Sequence, residues 1–529
     1  PARDYLSALA GAMGAERYWV APSLFWLSTS SHAMVAVTWI GLLASLAAFL
    51  NLWPRLTFFV CWVCFLSFVT TSQVFSSYQS DGMLLEAGFI VLFFAPRGFL
   101  PGWGADSPPS RASHFLLQWE WFRIYFESGL VKLLSGDPEW RHLTAMDDYY
   151  QNGPLPTWIG WYVQHWPHWF QVFTAGATLA MELGLVWMLF FPRRVRIICF
   201  CIVTPWEIGV ILTANYTFLN YLVLSLGFLL LDDRALTWLV PVRRRPDEPT
   251  PAPEFESHEE APPSILAVPE RSLAATESTK KSAALQGQDF GGAEIESTPT
   301  GSSATEGVSA RTPNWRRRVA RHFRALGLAF SALMLTWIAF DTTVELIAMP
   351  ARGIPSILTL PVQALDPLRI ANQYGLFAVM TRGRYEIEFQ GSNDGTTWTP
   401  YLFQHKPQAL NQAPGIYAPY QPRFDWNLWF ASLADWQQNE NLVPLTEERL
   451  LVGDPAVLSL FKRNPFPQAP PRYIRAVLWQ YWFTSMAQKR QTGDWWRRQF
   501  LGLYAPELII IPGGRFAVVE WPPDLPPHE

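Results

Sequence analysis

The stretch FLLQWEWFRIYFESGLVKLL, residues 115–134, is long enough to cross a bilayer but carries four charged side chains. They are Glu120, Arg123, Glu127 and Lys132. A charge at the centre of a bilayer costs about 2.5–3.5 kcal/mol on insertion scales, so such groups face a bundle interior or a wet cavity and usually pair. The segment therefore predicts a membrane helix that takes part in a site as well as anchoring the chain.

The composition is typical of a membrane protein with soluble parts. Of the 529 residues, 50% are hydrophobic, 15% aromatic and 16% charged, and 27 are Trp. The net charge of −4 gives no reason to expect nucleic acid as a partner. The four cysteines, including the pair Cys61 and Cys64, lie in apolar stretches. The spacing of Cys61 and Cys64 resembles a redox or zinc motif, but their apolar surroundings favour buried thiols at lipid level, and we expect no disulfide in the outer domain.

Hydropathy predicts about eight membrane spans in a mainly α-helical polytopic protein. The spans are residues 34–50, 56–72, 83–96, 115–134, 169–191, 195–213, 218–231 and 325–341. The third and seventh are short for a hydrocarbon core of about 30 Å, and we expect them to be tilted, extended or partly re-entrant.

Arginine clusters predict the orientation of these spans, because basic loops remain in the cytoplasm. The clusters are Arg55, Arg97 with Arg111, Arg193–Arg196, Arg243–Arg245 and Arg316–Arg324. With eight spans they all fall on one side, which we predict to be cytoplasmic. The loop 135–168 and the C-terminal region are then external.

The rest of the predicted organisation follows from composition. Residues 1–241 form the transmembrane bundle with the outer loop 135–168, and residues 313–345 form the last transmembrane helix. Residues 242–312 are rich in Pro, Glu, Ser, Thr and Ala, which predicts a disordered cytoplasmic linker. Residues 346–529 predict an external, extramembrane α+β domain with a hairpin-rich sheet.

Three segments carry the prediction for this C-terminal domain. Residues 384–404 alternate apolar and polar side chains around Asn393-Asp394-Gly395, which predicts a hairpin with a buried Trp398. The GSNDG-x-x-W string within them also occurs in discoidin-like, carbohydrate-binding β-sandwiches. Residues 425–463 predict amphipathic helix, and residues 473–484 predict an interior strand.

Several strings together resemble the lipase maturation factor family. They are ESGLVKLLSGDPEWRHLTAMDDYY (127–150), PLPTWIGWYVQHWP (154–167), LTANYTFLNYLVLSLGFLLLDD (212–233), YEIEFQGSNDG (385–395), APYQPRFDWNLWFASL (418–433) and NPFPQAPPRYIRAVLWQYWFT (464–484). The resemblance runs in order over most of residues 15–505, and the linker is foreign to it.

This resemblance implies a polytopic, chaperone-like maturation factor that brings secreted lipases or other exported clients to an active state, without a cofactor. In eukaryotic members it implies the endoplasmic reticulum membrane, with the C-terminal part facing the lumen. A bacterial source would place the chain in the cytoplasmic membrane with its C-terminal domain external. The expected partners are the client protein and the lipid bilayer.

The string SGLVKLLSGDPEW, residues 128–140, is also similar to a segment of vitamin K-dependent γ-carboxylases. In those enzymes the matching lysine is the base that deprotonates the quinol cofactor, and Lys132 is the position that fits here. The alternative function is therefore a membrane enzyme acting on a lipid-soluble substrate, with Lys132 as its catalytic base. A cavity reaching Lys132 would favour the enzyme, and a bundle filled by side chains would favour the factor.

The other charges of the span predict a polar membrane seam. Glu120, Arg123 and Glu127 are three and four residues apart, so they share one helix face. The seam either lines a cavity or forms a structural ion-pair network with acids of neighbouring spans, namely Glu86, Glu182 and Glu207. Lys132 lies about 140° around the helix from Glu127 and close to the outer end. Its alternative role is to snorkel to the interface.

Aromatic side chains with arginine are the candidates for binding a client, although they suit a packed core equally well. These candidates are Trp140, Trp158, Arg423, Trp426 and Phe466. His165 and His168 have a spacing that could hold a metal, but no acid or cysteine completes a set, so we predict no metal site. The sequence contains no P-loop, GxSxG, HExxH or Rossmann glycine pattern, and the case for an enzyme depends on Lys132 alone.

Overall fold

The computed structural model describes most of the chain on both sides of the predicted linker. The described residues are 2–239 and 314–523, except 77, 103, 105, 106, 352 and 354. The chain forms two units, Pro1–Leu239 with Ala325–Glu529, and Val240–Arg324. The predicted linker 242–312, together with Arg243–Arg245, lies outside the described residues.

The N-terminal region is helical throughout. Its helices are α1 (Ala2–Met13), α2 (Arg17–Val20), α3 (Ser31–Phe49), α4 (Pro54–Thr71), α5 (Gln79–Phe94), α6 (Arg111–Leu134), α7 (Pro138–Arg141), α8 (Tyr149–Asn152), α9 (Trp158–Gln164), α10 (His168–Leu183), α11 (Arg193–Thr213), α12 (Leu219–Gly227) and α13 (Asp233–Leu239). Short 3₁₀ turns, Leu185–Phe190 and Phe228–Leu230, follow α10 and α12. After the linker come α14 (Asn314–Ala351) and α15 (Ser356–Gln363).

Several of these helices are suited to a membrane. Five described helical stretches are long and apolar enough to cross one, namely Ser31–Phe49, Pro54–Thr71, His168–Phe190, Arg193–Thr213 and Arg321–Ala351. Leu219–Leu230 is apolar but shorter, α5 has only 16 residues, and α6 carries the charges described above. The prediction of a helical membrane protein is confirmed, whereas the count of eight spans is not.

Loop contacts show which helix ends lie together. Trp53 N donates to Phe99 O at 2.8 Å, and Arg55 Nε donates to Ala95 O at 2.8 Å. An ion pair joins Arg193 to Asp232. The loops that precede α4, α6 and α13 therefore lie near helix ends rich in arginine. The opposite ends of the helices face the C-terminal domain.

The C-terminal domain combines one sheet with short helices. Its helices are α16 (Arg423–Ala431), α17 (Val443–Leu451), α18 (Pro455–Leu458) and α19 (Met486–Thr492). Its strands are β1 (Arg384–Ser392), β2 (Thr399–Pro400), β3 (Tyr473–Phe483), β4 (Trp496–Leu503), β5 (Glu507–Ile511) and β6 (Arg515–Glu520). The antiparallel order is β2-β1-β3-β5-β6, and β4 also pairs with β3.

Within the described residues of the C-terminal domain, the predicted strands agree with the structure more closely than the predicted helix does. β3 pairs with β1, β4 and β5, which confirms the interior strand. β1 and β2 form the predicted hairpin, but Trp398 is only half-buried, because it precedes β2 at the edge of the sheet. The Arg475 guanidinium covers part of its ring, 3.9 Å from the ring centroid. The described strands form one sheet and not a sandwich. The helix predicted over 425–463 is broken into α16, α17 and α18.

The hairpin turn is fixed by the carboxylate of Asp394. It accepts hydrogen bonds from Thr396 N at 2.8 Å and Thr397 N at 2.7 Å. These hydrogen bonds favour the ionised form and lower the pKa of Asp394 below its ordinary value. Gly395 adopts a φ of 72°, which few residues with a side chain tolerate.

Residues 369–383 connect α15 to β1 without helix or strand, and we call them the junction segment. Ile370 and Tyr374 within it are fully or almost fully buried among the membrane helices. Irregular backbone at membrane depth is tolerated only where the protein itself satisfies its N–H and C=O groups. The junction segment therefore needs polar partners, and it finds them on α5 and α6.

Candidate functional site

The charges of α6 point into the protein and away from lipid. Glu120, Arg123 and Glu127 are fully buried, and Lys132 is 2% exposed. The helix begins where the Ser110 side chain accepts a hydrogen bond from Ser113 N. Its 24 residues then carry the charged side chains through the interior of the bundle.

Arg123 lies at the centre of one polar cluster. Its guanidinium forms an ion pair with Glu86 of α5, lies 3.7 Å from a Glu127 oxygen, and donates to Asn372 O at 2.6 Å. The guanidinium carbon is 5.0 Å from the centre of the Tyr374 ring. Glu86 Oε2 also accepts from Asn372 N at 3.1 Å and from the Tyr374 hydroxyl at 2.8 Å. The cluster thus joins two membrane helices to the junction segment.

The backbone of the junction segment is bound by the next turn of α6. Tyr374 N donates to Glu127 Oε2 at 2.6 Å, and Leu376 N donates to Ser128 Oγ at 3.3 Å. Buried backbone groups without such partners would each cost free energy comparable to a lost hydrogen bond. The charges of α6 therefore compensate the irregular backbone that packs against them.

Lys132 forms a second cluster with Glu182 of α10. Its ammonium donates to Glu182 Oε1 at 2.9 Å, to Leu376 O at 2.9 Å and to Ser128 O at 3.3 Å. The helices approach closely here, because a Cβ on Gly129 would lie 2.8 Å from Glu182 Cβ. The three hydrogen bonds use all three ammonium protons. Lys132 is held inside the protein and does not reach the outer interface.

Glu207 belongs to a third group. Its carboxylate accepts from the Tyr125 hydroxyl and from Asn220 Nδ2, both at 2.6 Å. Glu120 is buried without a hydrogen-bond partner among the described residues, and the rest of the predicted seam is divided between partners on three different helices. Glu86 joins Arg123, Glu182 joins Lys132, and Glu207 joins α6 through Tyr125.

A cavity of about 750 Å³ lies between the membrane helices and the C-terminal domain. Lys132, Glu182 and Glu207 form part of its wall, while most of the wall is apolar. Trp426 and Trp429 of α16 line the side formed by the C-terminal domain. The bundle is thus not filled by side chains next to Lys132. By the criterion given in the sequence analysis, a cavity that reaches Lys132 favours the enzyme over the maturation factor.

Tyrosines of the outer loop line the same cavity. The hydroxyl of Tyr149 lies against that of Tyr216, and Tyr150 contacts Thr174. Burial raises the pKa of Tyr150 to about 12, and burial also raises the pKa of Tyr149 above its ordinary value. Both phenols are therefore protonated at neutral pH and act as neutral hydrogen-bonding groups.

The outer loop and the C-terminal domain are bound together by buried hydrogen bonds. Arg384 of β1 is fully buried and donates to Gln151 O at 3.0 Å and to Pro154 O at 3.2 Å. In return, Phe483 N donates to Gln151 Oε1 at 2.7 Å. These contacts fix the sheet on the loop that follows α6.

A bidentate ion pair fixes α16 on the membrane helices. Arg423 donates to both carboxylate oxygens of Asp81 on α5, at 2.6 and 2.7 Å, and also to Phe75 O. Asp81 is almost fully buried, whereas the Arg423 side chain is 27% exposed. This geometry joins positions 342 residues apart in the chain.

The structure does not bring the five predicted client-binding residues together on one surface. Trp140 is 2% exposed and donates to Phe377 O at 2.9 Å, and Trp426 is 6% exposed in the cavity wall. Because both rings are buried, neither is available to a client in this conformation. Arg423 is engaged by Asp81, and Phe466 packs on the core of the C-terminal domain. Trp158, at 44% exposed, keeps a free face.

The two histidines of the outer loop have separate partners. His165 lies 2.9 Å from Thr484 O and 2.7 Å from Trp161 O, while His168 pairs with Asp147 at 2.9 Å. Throughout the described parts of the chain, no three His, Cys, Asp or Glu side chains gather as metal ligands would. The four cysteines are free thiols in α4 and α11.

Sequence reasoning missed several residues of these clusters. Asp81, Asn372, Tyr374 and Arg384 are each separated by more than 200 residues from at least one partner. One signal was available for Asp81, since it lies beside a short apolar span in which a charge is costly.

Comparison with known proteins then places the chain in a family. Residues 1–238 match the family model described as the lipase maturation factor transmembrane domain, and residues 370–506 match the lipase maturation factor C-terminal domain. The chain belongs to the lipase maturation factor family. The junction segment described above lies at the start of the second match.

Individual relatives align along nearly the whole chain. Lipase maturation factor 2 of Gallus gallus is 32% identical over 92% of this chain and 74% of its own length. The Homo sapiens protein of that name is 29% identical over 94% and 76%. Lipase maturation factor 1 of Bos taurus is 28% identical over 99% and 85%. No solved structure matches the chain significantly. These matches give no support to the carboxylase alternative.

Proposed function

We propose that the chain is a membrane-embedded maturation factor for secreted lipases or related exported proteins. Family membership carries this proposal, because the relatives that align over most of the chain are named for lipase maturation. The structure supports it with a C-terminal domain held firmly on the membrane helices by Arg384, Arg423 and the junction segment. The outer loop and the C-terminal domain would engage the client jointly.

The proposed topology has eight spans, with the arginine-rich ends in the cytoplasm and the C-terminal domain outside. In a eukaryotic cell the outside is the lumen of the endoplasmic reticulum, and in a bacterium it is the periplasmic or external face. The short α5, the charged α6 and the short apolar stretch Leu219–Leu230 complete the count beyond the five strongly apolar helices. Arg123 pairs with Glu86 and Lys132 pairs with Glu182 inside the bundle, which lowers the cost of placing these charges in a membrane.

Cysteine labelling tests this topology. We expect Thr397→Cys in the hairpin turn and Pro109→Cys before α6 to react from opposite sides with a membrane-impermeant maleimide, because both positions are exposed. Cys201 is exposed as well and should first be replaced by alanine. Reaction of both positions from the same side would contradict the eight-span arrangement.

A complementation experiment tests the function. The chain is expressed with a secreted lipase in cells whose own lipase maturation factor has been deleted, and lipase activity per mass of secreted lipase is measured. We expect the intact chain to restore specific activity. Secretion of inactive lipase at normal levels would reject the proposal for that client.

The ion pair between Arg423 and Asp81 supplies a variant for the same assay. Arg423→Glu places two acids together at the docking face, and we expect a loss of about 2 kcal/mol or more of docking free energy and a matching loss of client activation. The exchange Arg423→Asp with Asp81→Arg should recover part of that loss. Arg463→Glu, at an exposed position of the same domain, is the control and should retain activity. Equal activity of all three variants would show that docking through α16 is dispensable.

A further inference from the structure

The cavity beside α16 has the size and surface of a ligand site. Its volume of about 750 Å³ lies within the range of about 300–1,000 Å³ that is common for small-molecule pockets. Its wall is mostly apolar, and a few polar groups from the membrane helices, the outer loop and the C-terminal domain converge on it. That combination suits an amphipathic molecule with a long apolar part.

Three polar side chains in the C-terminal side of the wall have no hydrogen-bond partner among the described residues. Both polar atoms of the Gln421 side chain are unpaired, and so are the indole nitrogens of Trp426 and Trp429. All three residues line the cavity and are at least nine-tenths buried. Buried donors and acceptors are rarely left without partners in folded proteins. The unpaired atoms are themselves almost fully buried, so a ligand that offers oxygen atoms would complete this set once these side chains turn toward the cavity.

The charges in the wall argue against an anionic ligand. Lys132 and Glu182 are paired, and the ammonium of Lys132 has no proton left for another acceptor. Glu207 receives two hydrogen bonds from neutral groups, so the wall carries no spare positive charge. An anionic headgroup would find no counter-charge there, whereas ester and hydroxyl oxygens could accept from the two indoles and the amide.

The cavity also reaches the surface through apolar residues. Among the residues that line it, Trp166 is 50% exposed, Val379 is 68% exposed and Phe430 is 47% exposed. An entrance bordered by such side chains lets a molecule enter from an apolar environment without crossing a charged rim. The entrance lies where the outer loop, the junction segment and the C-terminal domain meet, and a lipid can enter there without passing a charged side chain.

We propose that this cavity binds one uncharged glyceride lipid, with its ester or hydroxyl oxygens at Gln421, Trp426 and Trp429 and its acyl part along the apolar wall. This assignment goes beyond the maturation function and does not depend on it. A chain that binds lipid without activating any lipase would satisfy it, and so the two proposals can fail separately.

Photolabelling of the full chain tests the site. The purified chain in detergent is exposed to a diacylglycerol that carries a photoactivatable acyl chain, in parallel with an anionic phosphatidylglycerol analogue of the same acyl composition. We expect saturable labelling by the diacylglycerol, competed by unlabelled diacylglycerol, with cross-links at cavity residues such as Met181 or Val223. Stronger labelling by the anionic analogue, or labelling that unlabelled lipid does not compete, would overturn the proposal.

Two matched pairs of variants locate the effect. Gln421→Leu removes an amide that has no protein partner, so the melting temperature should not fall, while labelling should drop about fivefold to tenfold, as for one lost hydrogen bond. Its control is Gln437→Leu at an exposed position of the same domain.

The second pair fills space with a phenylalanine ring. Gly209→Phe adds the ring at a position that lines the cavity, and a Cβ there would meet no atom within 4 Å. Gly327→Phe is its control, because Gly327 is equally open but does not line the cavity. Equal labelling of all four stable variants would show that the lipid binds elsewhere.

Discussion

Replacing Arg123 with methionine is expected to lower the free energy of unfolding by about 3–5 kcal/mol, the cost of breaking a buried ion pair from one side. The change leaves the carboxylate of Glu86 without its counter-charge and leaves Asn372 O without its donor. Glu127, 3.7 Å from the guanidinium, also loses a neighbouring positive charge. Thermal unfolding of the detergent-solubilised chain measures the effect.

A second variant separates the charge from the side-chain volume. Adding Glu86→Gln to Arg123→Met removes the unpaired acid and keeps an oxygen that can accept from the Tyr374 hydroxyl, so much of the lost stability should return. Arg463→Met, on the exposed surface of the C-terminal domain, is the control and should change stability by less than about 0.5 kcal/mol. An unchanged melting temperature for Arg123→Met would mean that water satisfies this cluster.

The charged helix could be predicted because its energetics are local. A span of 24 residues with charges at positions 120, 123 and 127 must bury them on one side, whatever the rest of the fold does. The neighbouring acids were also predictable as candidates, since few charges occur in apolar stretches. The interior strand β3 and the β1–β2 hairpin were similarly encoded in short patterns of alternation and turn residues.

The position of the junction segment could not be predicted, because the residues that bind it lie far away in the chain. Tyr374 N meets Glu127 across 247 residues, and Lys132 meets Leu376 O across 244. No local pattern records such a pairing, and residues 369–383 read as an ordinary loop. Once the segment is placed in the bundle, the charges of α6 are explained by the irregular backbone that needs them.

For the client-binding candidates, the sequence pattern was visible but its role was ambiguous. Aromatic residues beside arginine suit a binding surface and a packed interface equally well, and the sequence cannot separate the two. Trp426 packs where α16 covers the cavity, and Arg423 next to it binds Asp81. Much of the aromatic content of the C-terminal domain therefore serves its attachment to the membrane helices.

Substitution of Lys132 is the second change for which we expect a large loss of stability. Lys132→Met leaves Glu182 as an unpaired buried acid and removes the donor from Leu376 O, so the free energy of unfolding should fall by about 3–5 kcal/mol. Lys132→Arg keeps the charge, but the larger guanidinium must fit a site that is 2% exposed, with the Trp140 ring 5.1 Å from the ammonium. We expect a loss of about 1–3 kcal/mol from overpacking. A lysine that merely snorkelled to the interface would accept arginine without loss.

The double variant Lys132→Met with Glu182→Gln separates a structural role from a catalytic one. It removes both charges together, and replacing a buried pair by neutral groups of similar volume is often close to neutral in stability. We expect it to recover most of the stability that Lys132→Met loses, apart from the cost of the donor still missing at Leu376 O, and to activate a secreted lipase in proportion to the amount of folded protein, because holding the junction segment requires no proton transfer. A catalytic base cannot be replaced by methionine. A double variant that is as stable as the unaltered chain but inactive in the complementation assay would therefore show that Lys132 performs chemistry in the cavity that it borders.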